Sequence, residues 1–214
     1  MESHGRRFGT GRGAVYPAAK ATALLSPARR LVQSPARTVA RAGLSGHERV
    51  LEVGCGPGYF SPTLAGVLSD GVLVALDLQV EMLKSALGRA QGAGRVVGVQ
   101  ADAAALPFAT SSIDAVVAIL MLGEVEERDA CFGEIARVLR PSGQLIVGES
   151  RRDSDFLALR SLVGALERHG FTLVERHGIR WEYTARFRRK GAPWVRPTPR
   201  DRRRILDTHV TTML

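Results

Sequence analysis

Residues 50–60 read VLEVGCGPGYF, an apolar run that passes directly into a loop where Gly54, Gly56 and Gly58 alternate with other residues. No other stretch limits the fold as narrowly. A glycine turn that ends a strand and opens a helix presents outward-facing backbone N–H groups, and the missing Cβ atoms let a ligand lie against the chain. Such a loop suits a nucleotide-type cofactor. The spacing differs from the GxGxxG dinucleotide fingerprint, because the third glycine follows the second by only two positions, so by itself the loop also fits a turn that is merely tight.

The rest of the chain places this loop in a repeating pattern. Short apolar runs recur at 72–76 (VLVAL), 96–99 (VVGV), 115–120 (AVVAIL) and 145–147 (LIV), separated by helix-compatible segments at about 59–68, 80–90, 126–139 and 154–169. Ile135, Val138 and Leu139 line one face of the third of these, which ProSerGly at 141–143 should stop. The alternation predicts a mostly parallel sheet with helices on both faces. After Gly170 two strand-like segments flank HisGly at 177–178 with no helix between them, predicting an antiparallel pair that closes the sheet. Before the first strand, SPAR occurs at 26–29 and again at 34–37, and Ser as N-cap with Pro at the first helical position predicts two short helices. The expected organisation is a helical cover over residues 1–44, a cofactor-binding domain over 45–190 and a basic tail over 191–214.

Charge follows the same division. Residues 1–49 hold nine Lys/Arg against two acids, 50–175 ten against sixteen, and 176–214 eleven against three. Basic ends can bind phosphate on nucleic acid or at a membrane surface, and Arg is equally an ordinary solubilising residue. No apolar run approaches the roughly 18 residues of a membrane span, and residues 1–44 lack a signal-peptide pattern, so a cytoplasmic protein is expected. Cys55 and Cys131 stand far apart, and the first lies inside the glycine loop. A reducing compartment and no metal cluster are the expectation.

Three carboxylates sharpen the cofactor reading. Asp77 ends the second strand, where it can accept hydrogen bonds from two ribose hydroxyls or cap the following helix. Asp102, after the third strand in QADAAALPF, can accept from a base amine or act as an N-cap. Glu52, one strand residue ahead of the loop, can hold a cationic ammonium or be a buried structural acid.

Taken together, VLEVGCGPG, VALDLQVEML, QADAAALPF and EIARVLRPSGQLIV resemble the class I S-adenosylmethionine-dependent methyltransferases, in particular the small-substrate group with the type 11 domain, over about residues 45–188. The resemblance implies a Rossmann-like seven-stranded sheet, mostly parallel with an antiparallel C-terminal strand. It implies S-adenosyl-L-methionine as cofactor: Glu52, Gly54, Cys55, Gly56 and Gly58 around the methionine moiety, Asp77 at the ribose, Leu78 on an adenine face, Asp102 and the Ala103 N–H at the adenine edge, and the Leu120 carbonyl near the amino group. The donor is intrinsically reactive, so the protein's task is to align an acceptor and exclude water.

Many relatives carry histidine after the fourth strand, where this chain has Gly123 and Glu124. Glu124 can act as a base, bind an amine or simply start a helix, and Glu149 after the fifth strand is a second substrate-site candidate. Tyr16 and the SPAR segments are lid candidates, whereas His47, His169, His177 and His209 read as surface residues. The expected activity is methyl transfer to a small-molecule or lipid-like acceptor. Alternatives are an RNA methyltransferase using the basic ends, or a non-catalytic protein that binds the same cofactor.

Overall fold

The computed structural model describes residues 14–27, 29 and 33–191. Seven strands, β1 Arg49–Val53, β2 Val72–Asp77, β3 Val96–Gln100, β4 Ile113–Ile119, β5 Leu139–Ser150, β6 Phe171–Ile179 and β7 Glu182–Arg189, form one sheet in the order β3-β2-β1-β4-β5-β7-β6. Neighbours among β1–β5 run parallel, and β7 is antiparallel to both β5 and β6. This is the mixed, Rossmann-like sheet expected from the strand–helix alternation and the closing hairpin.

Six α-helices accompany the sheet among the described residues: α1 Ala21–Leu24, α2 Pro35–Ala42, α3 Ser61–Val67, α4 Val80–Ala90, α5 Arg128–Val138 and α6 Leu159–Arg168. Successive strand residues point to opposite faces, and both faces are covered. Leu51, Val53, Val116 and Leu145 pack with Phe132 and Ile135 of α5 and with Leu162 and Leu166 of α6. Val50, Ala115, Val117 and Ile146 pack with Val39 and Ala42 of α2 and Leu64 of α3. Burial on both faces is why the strands read as nearly unbroken apolar runs.

The second SPAR begins α2 as its chemistry requires. The Ser34 hydroxyl accepts from the Arg37 N–H, Pro35 opens the helix, and Gly43 ends it in the left-handed conformation at φ 63°. Because Val39, Ala42 and Leu44 are almost wholly buried, α2 is part of the core as well as of the segment preceding β1. The helix expected from the first SPAR falls partly outside the described residues, as does all of the C-terminal tail beyond Gly191.

Two local expectations are corrected. The β6–β7 hairpin turns at Arg180–Trp181, since Ile179 pairs with Glu182 and Gly178 with Tyr183. His177 and Gly178 therefore lie within β6. Gly178 is required there because its φ is 93° and a Cβ would come within 2.3 Å of the Glu182 carbonyl oxygen. At the other site, α5 ends at Val138, ahead of ProSerGly, and Leu139 already pairs with Ile113. Strand pairing ends this helix, and the proline falls inside the next strand's exposed start.

No helix among the described residues is long and apolar enough to cross a membrane. Chain order reverses between β1 and β4: the connection after β1 leads to β2 on one side, and the connection after β4 leads to β5 on the other. The carboxyl ends of these two strands diverge into a crevice, where open α/β sheets bind ligands.

Candidate functional site

The glycine loop follows β1 into that crevice, and its three glycines serve different purposes. All have positive φ, at 65°, 53° and 83° for Gly54, Gly56 and Gly58. A Cβ on Gly54 would lie 2.8 Å from Met121 Cβ, and one on Gly58 would lie 2.6 Å from Ala86 Cα of α4, so both positions are closed by the protein's own packing. A Cβ on Gly56 would meet no heavy atom within 4 Å. Gly56 alone faces open space. Its N–H donates to Asp77 Oδ2 at 2.8 Å, which ties the loop to the end of β2.

Asp77 Oδ1 also accepts from the Gln79 N–H at 2.9 Å, and burial pushes its carboxyl upward against these bonds and one from the Leu78 N–H. It does not cap α4, whose N-cap is Gln79. A carboxylate has about four acceptor positions, so with three backbone N–H groups directed at it one remains for a ligand hydroxyl. Glu52 is buried beneath the loop at the floor of the cleft, where its Oε2 accepts from the Ser61 hydroxyl at 2.6 Å. Burial, with a smaller push from Asp77, raises it to about 8. Asp102 Oδ1 accepts from the Ala104 N–H at 2.9 Å in a turn after β3.

These groups border a cleft of about 660 Å³. Its wall includes Glu52, Gly54, Cys55, Gly56, Asp77, Leu78, Asp102, Ala103 and Leu120, together with Tyr16 and Glu124. The volume lies within the range of small-ligand sites, about 300–1,000 Å³. Leu120 has φ 54°, an unusual conformation for a leucine, and its N–H donates to the Gly148 carbonyl at 2.9 Å as the chain turns at the end of β4. The Cys55 thiol is buried and pushed upward by that burial and by Glu52 and Asp77, which keeps it protonated.

The N-terminal segment closes one side of the cleft. Gln79 holds it like a clip, donating Nε2–H to the Tyr16 carbonyl at 2.7 Å and accepting the Ala18 N–H at 2.9 Å. The Tyr16 N–H donates to Glu124 Oε2 at 2.9 Å, and burial raises Glu124 to about 7. The tyrosine backbone, rather than its ring hydroxyl, makes these contacts. Sequence reading missed Gln79, whose type carries no signal without knowing what lies opposite.

It also missed Arg29, the last residue of the first SPAR. Its guanidinium carbon stands 4.2 Å over the Tyr59 ring, Nε donates to Gln33 and Nη1 to the Leu24 carbonyl, and the side chain lines the cleft opposite Asp153. Its position there depends on a segment folding back over the loop.

Two candidates do not border the cleft. Gly58 packs against α4. Glu149 is buried with 2% of its surface exposed, accepts from the Leu157 N–H at 3.2 Å, leaves Oε1 without a hydrogen bond, and is raised to about 8 by burial. The described histidines pair with acids elsewhere: His47 with Asp70, His169 with Asp129 and His177 with Glu175. No metal-binding group of three ligands occurs among the described residues.

A parallel α/β sheet with a glycine-lined cleft at its switch point, flanked by carboxylates at the ends of β1 and β2, defines a nucleotide-type cofactor-binding fold. Residues 51–147 match the family model of a methyltransferase domain. The O-methyltransferase cnsE of Penicillium expansum is 36% identical over 105 residues, 48% of this chain and 38% of that protein. The ubiquinone/menaquinone biosynthesis C-methyltransferase UbiE of Syntrophotalea carbinolica is 30% identical over 132 residues, 61% and 55% of the two chains. The chain thus spans about half or less of these relatives' lengths. A solved S-adenosylmethionine-dependent methyltransferase from Aquifex aeolicus has the same fold, with a TM-score of 0.74 at 20% identity over 80% of this chain and 98% of that one. Residues 51–147 thus form a methyltransferase domain with the fold of the class I S-adenosylmethionine-dependent methyltransferases, and S-adenosylmethionine is the cofactor of that class.

Proposed function

We propose that the protein transfers a methyl group from S-adenosylmethionine to a small-molecule or lipid-like acceptor held between the glycine loop and the cover formed by residues 14–27 and Arg29. The observation that carries this reading is one continuous cleft whose floor is the Gly56 loop with Asp77 and whose cover is the clipped N-terminal segment. The open face at Gly56 and the carboxylate set fit the cofactor. Asp77 would hold a ribose hydroxyl, Asp102 and the Ala103 N–H the adenine edge, Leu78 its face, and Glu52 with the Leu120 carbonyl the ammonium. When bound, the cofactor supplies a methyl group on a positively charged sulfur, already activated for transfer. The chain's own residues then orient the acceptor and keep water out. Raised to about 7, Glu124 sits at the cleft with a proton affinity suited to accepting a proton from an acceptor near neutral pH. The UbiE relative supports an apolar acceptor, and the Leu24, Tyr59 and Phe60 lining supports it independently.

The test is methyl transfer from labelled cofactor into a cell extract separated into lipid, small polar and macromolecular fractions. Label in the lipid or small-molecule fraction is expected. Label confined to RNA would sink the acceptor assignment, and cofactor binding without transfer to any fraction would sink the enzymatic one.

A further inference from the structure

The tip of the β6–β7 hairpin carries an exposed aromatic and an exposed aliphatic side chain side by side. Trp181 is 54% exposed and Ile179 52%. The other large exposed hydrophobic among the described residues, Val97, lies on edge strand β3 across the sheet. A two-residue turn needs neither side chain. Leaving an indole and a branched aliphatic group in water at a turn is unfavourable unless something covers them.

The surroundings specify what kind of surface. Arg176 and Arg180 on the hairpin, Arg151 and Arg152 after β5, and Arg37 on α2 are all exposed. Arg41 of α2 lies close enough to Glu182 for that carboxylate to act on its charge. Glu182 is itself half-buried, and Glu175, further along β6, is engaged by Arg186 and His177. The tip is therefore apolar at its centre and cationic around it. Trp seats its ring at the headgroup level of a bilayer, Ile enters the acyl boundary beside it, and Arg attracts anionic headgroups. A base-stacking surface would use the indole but has no use for an exposed Ile.

Position ties this surface to the cleft. The Arg151 N–H donates to the Trp181 carbonyl at 2.7 Å, and the adjoining Ser150, Arg152 and Asp153 line the cleft wall. We infer that the Arg180–Trp181 tip, with Ile179 and the flanking arginines, is a docking surface for an anionic lipid bilayer that brings the cleft mouth to the membrane. The inference rests on the lipid-like acceptor reading only for its purpose, and its test needs neither acceptor nor transfer.

Trp181 and Trp194 are the chain's two tryptophans, so full-length protein carrying Trp194→Phe reports on Trp181 alone. Mixed with vesicles of phosphatidylcholine and phosphatidylglycerol in equal parts, its emission should shift to the blue, and the protein should sediment with them at least about tenfold more strongly than with pure phosphatidylcholine. Added salt should release it. On the unaltered background, Trp181→Ser and Arg180→Glu should each weaken vesicle binding by about tenfold or more while cofactor affinity and melting temperature stay at wild type. Ile179→Ser replaces the first variant if that one does not fold. Unchanged Trp181 emission, or sedimentation that none of these variants alters, overturns the inference. So does capture by RNA or an acidic protein such as an acyl carrier protein with no binding to vesicles.

Discussion

At the residue scale, chemically similar residues prove to have unlike tasks. Gly56 and Gly58 both have positive φ, but only Gly56 opens on the cleft. Gly58→Ala forces a Cβ onto the α4 backbone and should destabilise the fold by about 1–3 kcal/mol, the usual range for overpacking, with a parallel fall in melting temperature. Gly56→Val should instead abolish cofactor binding by calorimetry, its loss of stability coming from backbone strain at φ 53° and not from a clash. Equal effects at both positions would refute the division. Asp77→Ala removes a charged acceptor from the proposed ribose site and unties the Gly56 N–H, so affinity should drop by about 1.5–3 kcal/mol, or roughly tenfold to a hundredfold. Glu149 tests the opposite case, a buried acid off the cleft. Its folded carboxyl is raised from 4.5 to about 8, so between those values the folded chain holds a proton that the unfolded chain has released. The associated stabilisation is full below about pH 4.5 and is lost as pH rises through about 8. Glu149→Gln should therefore match wild type in melting temperature near pH 4 and exceed it near pH 9, with cofactor affinity unchanged.

At the element scale, the N-terminal segment divides into two pieces. Residues 33–44 pack α2 into the core, whereas residues 14–27 and Arg29 lie along the cleft, held by Gln79 and Glu124. Gln79 follows directly on Asp77 and Leu78, so the clip stands next to the proposed ribose and adenine contacts. Gln79→Ala removes both side-chain bonds while leaving the backbone N–H on Asp77. In hydrogen exchange, the Ala18 amide should lose its protection, and cofactor affinity should stay within a few-fold of wild type. The acceptor KM should rise, because the cover no longer closes. Retained protection at Ala18 would show that the segment is held by other contacts.

At the scale of the whole molecule, folding and cofactor binding are linked because the cleft exists only when β1, β2 and β4 lie side by side. S-adenosylmethionine at about a hundred times its dissociation constant should add about 2.7 kcal/mol to stability, which corresponds to a rise of roughly 5–10 °C in melting temperature for a chain of this size. Scanning calorimetry with and without cofactor measures it, and at the same cofactor concentration the gain should fall to about 0.4–1.4 kcal/mol in Asp77→Ala. The uneven charge belongs to this scale as well. The acidic middle of the chain supplies most of the cleft wall, and the basic ends flank it, with eleven of their twenty Lys/Arg among the described residues.

What the sequence by itself determined was everything governed by neighbours along the chain. The strand runs, the helix of residues 80–90, the Ser34–Pro35 helix start and the glycine loop were legible because periodicity, capping and turn chemistry act within a few residues. The family resemblance drew on the same local segments. The closing antiparallel pair was legible as well, but its turn was misplaced by three residues, because Gly178 answers to the partner strand's carbonyl and not to a turn. Tertiary structure alone decided which glycine opens on the cleft, that Glu149 is buried away from the cleft while Glu124 lines it, and that Gln79 and Arg29 border the cleft at all. Each of these depends on a contact between residues far apart in the chain, such as Gln79 with Tyr16 or Gly58 with Ala86. A residue's type constrains such a contact without selecting it, since the partner is supplied only when the helices close over the sheet.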